Sequence, residues 1–132
     1  MDKKISIFEV GPRDGLQNIK NEIPINSKIK LIDILTDTGL KKIECGSFVS
    51  AKWVPQMKGT NQIFQEIRRK EGVKYTALTP NLQGFESALD AQVDEVAVFA
   101  AASETFSQKN VNCSIEESLE RFQGIFKKAK QN

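Results

Sequence analysis

Histidine is absent from all 132 residues, so no imidazole is available here as a metal ligand. Cysteine is scarce: Cys45 and Cys113 are the only two, too few for a disulfide framework and better suited to a reducing compartment. No apolar run approaches the roughly 18 residues of a membrane span, which argues against membrane insertion. Met1-Asp2-Lys3-Lys4 leads straight into the first apolar alternation, so no signal or transit peptide is expected. Together these absences predict a cytoplasmic protein. A dominant charge is also missing. The net charge is +2, and lysines cluster only near the C-terminus, which argues against nucleic acid as the main partner. There is no low-complexity tract and no linker.

What remains is an ordinary globular composition, 39% hydrophobic and 27% charged, in a chain long enough for one domain with a core. Strand and helix signals alternate at about 30 residues, the size of a βα unit. Ile5 and Ile7, alternating with Ser6 and Phe8, predict a first strand. Asn26 or Ser27 can cap a helix with the apolar stripe Ile29, Ile32, Leu35, and Gly39 suits a left-handed stop. Lys42-Ile43-Glu44-Cys45 is a second strand ending at Gly46, and 47–59 is an irregular loop. Ile63, Phe64 and Ile67 mark a second helix, closed by Gly72; residues 73–78 are a third strand. Phe85, Ala88 and Leu89 mark a shorter helix, and 95–100 reads as a fourth strand buried on both faces. Ser114-Ile115-Glu116-Glu117 is a capping box opening the last helix, which carries Leu119, Phe122 and Phe126.

Four consecutive βα units fit either a doubly wound sheet or part of a (β/α)8 barrel, and periodicity alone does not separate them. A dinucleotide fold would place G-x-G-x-x-G after the first strand. Gly11-Pro12-Arg13-Asp14-Gly15 stands there instead, with a proline and two charges. A strand that breaks at Gly-Pro and sets a cation beside a carboxylate at its carboxyl end suits a site; the plainer alternative is a surface turn with an incidental ion pair.

The whole stretch E-V-G-P-R-D-G-L-Q-N (residues 9–18) resembles the first strand and loop of the hydroxymethylglutaryl-CoA lyases, metal-dependent aldolase-like TIM-barrel lyases. Lys52-Trp53-Val54-Pro55-Gln56-Met57 is similar to their K-W-V-P-Q-M, and Ile43-Glu44 with Ser47-Phe48-Val49-Ser50 to their second strand and loop. Leu78-Thr79-Pro80-Asn81 and the stretch 101–118 continue the likeness along nearly the whole chain. R-D-G also occurs in the related acyl-CoA-condensing synthases, whereas P-R-D-G-L-Q-N combined with K-W-V-P-Q-M is specific to the lyases. Departures are Ile19 where Glu is frequent, Ala51 where Pro is common and Gln92 where Gly is usual.

This resemblance implies a (β/α)8 TIM-barrel type fold of which residues 1–132 would be the first four βα units, an incomplete single domain. It implies retro-Claisen cleavage of 3-hydroxy-3-methylglutaryl-CoA to acetyl-CoA and acetoacetate. Arg13 matches the catalytic arginine, Asp14 a ligand of Mg²⁺ or Mn²⁺, and Glu44 an acidic residue supporting both. Gln17 would line the same mouth, and Lys20 and Asn110 match positions near the CoA moiety. Read without the family, Glu44 is an ordinary strand-end carboxylate, Lys20 a solvated lysine, Asn110 a turn residue and Trp53 a packing anchor for its loop.

A complete barrel takes about 250 residues, and the family's His-x-His metal ligands and cysteine-bearing glycine loop have no counterpart here. Two kinds of function follow. One is the enzyme, active only with further segments and inactive as this chain alone. The other is a non-catalytic half-barrel that binds an acyl-CoA or associates with itself into a homo-oligomer.

Overall fold

In the computed structural model, which describes residues 4–132, a three-stranded parallel sheet is layered against helices. Strand β1 (Lys42–Ser47) pairs with β2 (Lys74–Leu78), which pairs with β3 (Glu95–Ala97), in the order β1-β2-β3. Between them run α1 (Ile25–Thr36), α2 (Thr60–Glu66) and α3 (Leu82–Asp90), with α4 (Glu104–Val111) and α5 (Ile115–Ala129) after β3. Parallel neighbours joined through helices are what the alternating pattern required. Met1, Asp2 and Lys3, which the sequence reading placed at the entry to the first strand, lie outside the described residues.

The two faces of the sheet carry different chemistry because side chains alternate along a strand. Ile43 and Cys45 of β1 with Tyr75 and Ala77 of β2 point into a core shared with Ile32 of α1 and Ile63 and Phe64 of α2. A smaller cluster joins Phe85 of α3 to Phe122 and Ile125 of α5, with Val96 and Val98 against it. The opposite face is polar: Glu44 on β1, Thr76 on β2, and an ion pair from Lys42 to Glu95 at 2.5 Å. Between Glu44 and Gly46 the register of β1 slips at a bulge. Bulges re-aim side chains, and this one lies beside the buried carboxylate.

Several expectations are corrected. The predicted first strand makes no ladder: Glu9 alone bridges to Ile43, through Glu9 N–H to Lys42 O (3.0 Å) and Glu44 N–H to Glu9 O (2.8 Å). Ile5, 89% exposed, and Ile7 have nothing over them, so their alternation records a face that this chain does not cover. The fourth strand is three residues long and half-buried, with Phe99 exposed beyond it. Continuous apolar character means burial on both faces only when both faces have a cover. Helix α1 starts at Ile25 with Pro24 at its cap position, so Asn26 and Ser27 lie inside its first turn. Trp53 is 77% exposed and anchors nothing; Lys52 Nζ lies 5.6 Å from its ring centre. Helix α4, capped by Ser103 through Phe106 N–H, was not foreseen because its apolar residues are few.

Other expectations hold. Gly39 is left-handed (φ 91°), whereas Gly72 (φ 78°) lies well beyond the end of α2 at Glu66 and does not close that helix. The capping box is complete, Glu117 N–H donating to Ser114 Oγ (3.1 Å) and Ser114 N–H to Glu117 (2.7 Å). The backbone amide of Ser114 holds the Glu117 carboxyl below its ordinary range. Gln92, standing where the family usually has glycine, adopts φ 55°. Arg69 Nη1 grips its carbonyl at 2.6 Å, which helps hold a conformation that a side chain disfavours. Gln92→Gly should stabilise the chain by roughly 0.5–1 kcal/mol: the left-handed penalty of about 1–2 kcal/mol less glycine's entropic cost of about 0.5–1 kcal/mol. Urea denaturation of the two proteins measures it; a loss of stability would mean that Gln92 is unstrained.

Candidate active site

Arg13 is presented by a wide helical turn, Gly11–Gly15, that follows the Glu9 bridge. The N–H groups of Arg13, Asp14 and Gly15 all converge on the Val10 carbonyl, at 3.1, 2.7 and 3.4 Å. Such five-residue closures are rare and concentrate at functional sites. Pro12, buried, starts the turn where an amide would find no helical partner anyway. Glu9 folds its carboxylate back onto the Gly11 N–H at 2.6 Å, and a Cβ on Gly11 would stand 2.7 Å from that same oxygen. A side chain at Gly11 would have to push the Glu9 carboxylate off that amide.

From this turn Arg13 Nε donates to Glu44 Oε1, and Arg13 Nη1 donates to Asp14 Oδ1 (3.0 Å) and to Gln17 Oε1 (3.4 Å). Glu44 is 2% exposed and Arg13 mostly buried, while Asp14 faces solvent. A carboxylate this deep is tolerated only when paired and hydrogen-bonded. The pair also fixes the guanidinium plane, because a fork of N–H groups gripped at Nε loses its rotation. Four of the six candidate residues, Arg13, Asp14, Gln17 and Glu44, are thus brought into one cluster. The other two are not: Lys20 is exposed a turn further on, Asn110 is exposed near the end of α4, and neither joins the cluster.

Among the described residues no three carboxylate or thiol groups converge as a metal seat. Asp14 offers one oxygen, Glu44 is taken up by Arg13 and Glu9 by Gly11. A hard divalent cation takes near-octahedral oxygen coordination, so these residues do not hold one by themselves. Cys45, buried behind the sheet, has its thiol pushed well up by desolvation and is inert as a nucleophile. Cys113 is buried as well. A cleft of about 490 Å³ lies between the β1–α2 loop and α3 and contains none of the cluster. Its ionisable lining residues, Lys58 and Asp90, are exposed.

Residues that sequence reasoning missed are Glu9, which holds the turn closed, and Gln56, whose side chain reaches the segment after Gln17. Glu9 two residues before Gly-Pro was a legible signal. Gln56 gave none, since its partners are backbone groups more than thirty residues away.

Parallel strands joined through helices, with the helices packed on one face and charged side chains on the other, fit part of an α/β barrel. The chain belongs to the HMGL-like family, whose sequence model matches residues 4–132. It is 58% identical over 132 residues to the 3-hydroxy-3-isohexenylglutaryl-CoA/hydroxy-methylglutaryl-CoA lyase of Pseudomonas aeruginosa, covering 100% of this chain and 44% of that protein. The mitochondrial hydroxymethylglutaryl-CoA lyase of Homo sapiens is 54% identical over 129 residues, 98% of this chain and 40% of the relative. The solved hydroxymethylglutaryl-CoA lyase of Pseudomonas aeruginosa superposes with a TM-score of 0.94 at 60% identity, covering 98% of this chain and 43% of that one. An HMG-CoA lyase from Acinetobacter baumannii, solved with coenzyme A and 3-methylmalate, matches at 34% identity and a TM-score of 0.91, covering 96% and 42%. The chain spans about two fifths of the length of these relatives.

Removing Arg13 would leave Glu44 buried and unpaired. Arg13→Leu should therefore cost about 3–5 kcal/mol of stability, against no more than about 0.5 kcal/mol for Asp14→Asn at the exposed end of the cluster. Denaturant midpoints of the two variants check this; equal losses would show that the buried pair carries no special weight.

Proposed function

We propose that residues 1–132 are the N-terminal half of a hydroxymethylglutaryl-CoA lyase, contributing one side of its active site. The observation that carries this is the Arg13–Glu44 pair at the mouth of β1, with Asp14 and Gln17 on the same guanidinium. The reaction cleaves the C2–C3 bond of 3-hydroxy-3-methylglutaryl-CoA. The C3 hydroxyl loses its proton and becomes the ketone of acetoacetate. The bonding pair passes to C2 and the thioester, and protonation at C2 completes acetyl-CoA. Arg13, fixed by Glu44, offers N–H groups and a permanent charge to the thioester oxygen as it takes on enolate character. Asp14 is the one residue here that would offer an oxygen to a Mg²⁺ or Mn²⁺ ion, which would acidify the C3 hydroxyl when bound. Gln17, Lys20 and Asn110 are the proposed contacts to the acyl-CoA. A reducing compartment, the cytoplasm in our reading, fits the two unpaired cysteines.

In a full-length version, Arg13→Gln should lower kcat by roughly 10²-fold or more, the scale for losing one oxyanion-type donor, and change KM much less. A variant with its kcat intact and KM raised would make Arg13 a substrate anchor only. The 132-residue chain alone should release no acetoacetate above background with Mg²⁺ or Mn²⁺; turnover near one per second, toward the low end of ordinary enzymes, would overturn the division of the site.

A second reading, self-association, is favoured by the exposed Ile5, Ile7, Phe8 and Phe99 along the two open sides of the sheet. Each large side chain left uncovered forgoes roughly 1.5–3 kcal/mol of burial. The isolated chain should therefore sediment at low micromolar concentration as a dimer or larger species. A single monomer with a sharp cooperative melt would show that the chain covers its own core.

A further inference from the structure

The segment between the Arg13 turn and α1 has no regular structure of its own, yet one distant side chain holds it at three points. Gln56 sits in the tight turn Pro55–Met57 and is only 6% exposed. Its Nε2 donates to the carbonyls of Ile19 and Asn21, both at 2.9 Å, and its Oε1 accepts from the Ile23 N–H at 3.1 Å. A carboxamide has two N–H donors and one oxygen, and all of them are engaged. Behind it, Lys28 of α1 is buried and donates its Nζ to the Gln56 carbonyl. Burial lowers the Lys28 pKa, with Glu22 acting against that shift.

The carbonyls that Gln56 holds belong to Ile19 and Asn21, the residues on either side of Lys20. Gln17, two residues before Ile19, accepts from Arg13. Neither Glu nor a hydrocarbon could replace Gln56. Glu would set an oxygen against two carbonyls, and a hydrocarbon would leave all three backbone groups without this partner. In K-W-V-P-Q-M it is thus Gln56 and Met57 that are buried, while Trp53 is exposed.

We propose that Gln56 is a positioning residue of the site: it clamps segment 19–23 so that Gln17 stays on Arg13 and Lys20, outside the cluster, is held in a fixed place in the same loop for an acyl-CoA ligand. This rests on the acyl-CoA reading above. A loop ordered before the ligand arrives spares the binding step the cost of ordering it, so the clamp acts on affinity more than on the bond-breaking step.

The clamp is tested first on the chain as it stands, by amide hydrogen exchange. Gln56→Met keeps volume and burial and deletes all three hydrogen bonds; Gln56→Asn keeps the chemistry one methylene too short to reach. Each should speed exchange at Ile23 by about tenfold or more, the scale of one lost hydrogen bond, with Ala77 in the middle of β2 unchanged. Unchanged exchange at Ile23 in both, or equal loss at Ala77, overturns the clamp, and Asn decides if Met does not fold. In the full-length lyase, Gln56→Met should raise KM for the acyl-CoA about tenfold, again one hydrogen bond's worth, with kcat nearly constant. A fall in kcat at constant KM overturns the positioning role. Failure of the unsubstituted full-length protein to cleave any acyl-CoA would count against the proposed function, and the exchange result would still decide the clamp.

Discussion

Glu44 lies at the centre of β1 with almost no exposure, and a carboxylate so deep survives only because Arg13 reaches it from the turn above. That contact joins the bridge at Glu9 in tying the turn before α1 to β1. It also decides where the guanidinium points. With Nε on Glu44, the Nη1 side faces Asp14 and Gln17, so a single buried pair organises the whole charged mouth.

The sheet separates two kinds of energetics. Toward the helices, Ile43, Cys45, Tyr75 and Ala77 meet Ile32, Ile63 and Phe64 in a dry core, and the thiol there is unreactive because it is buried. Toward the other face the sheet is polar, carrying Glu44, Thr76 and the Lys42–Glu95 pair. The first face holds the dry core and the second the charged groups, a separation that the two-residue period of a strand makes available at no extra length. The bulge at Cys45 lies where the two demands meet.

The outer sides of the sheet are where the chain is least self-sufficient. Ile5 and Ile7 before Glu9, and Phe99 just past the half-buried β3, are apolar residues left exposed. In relatives more than twice as long, there is chain enough to close such a sheet. Within this chain, the same residues leave an open edge and an uncovered face, the two features that invite pairing with another surface.

The sequence by itself determined the alternation of strand and helix, the capping box at Ser114 and the left-handed stop at Gly39. It also determined the motif that sets Arg13 beside Asp14 and the approach of Glu44 to them. These are local matters, or matters of a motif whose residues touch one another, so spacing along the chain carries them. What only the tertiary structure decided depends on what covers what. The alternation at Ile5 and Ile7 became no ladder, and the apolar run after Glu95 became a short half-buried strand, because no neighbour lies beyond either. Trp53, the most conspicuous residue of its motif, is exposed, and Gln56 is the one that binds. A carboxamide that satisfies three backbone groups in a distant segment leaves no pattern in composition or period. Its partners are peptide groups that every residue possesses, and only the folded chain selects which of them come within 3 Å.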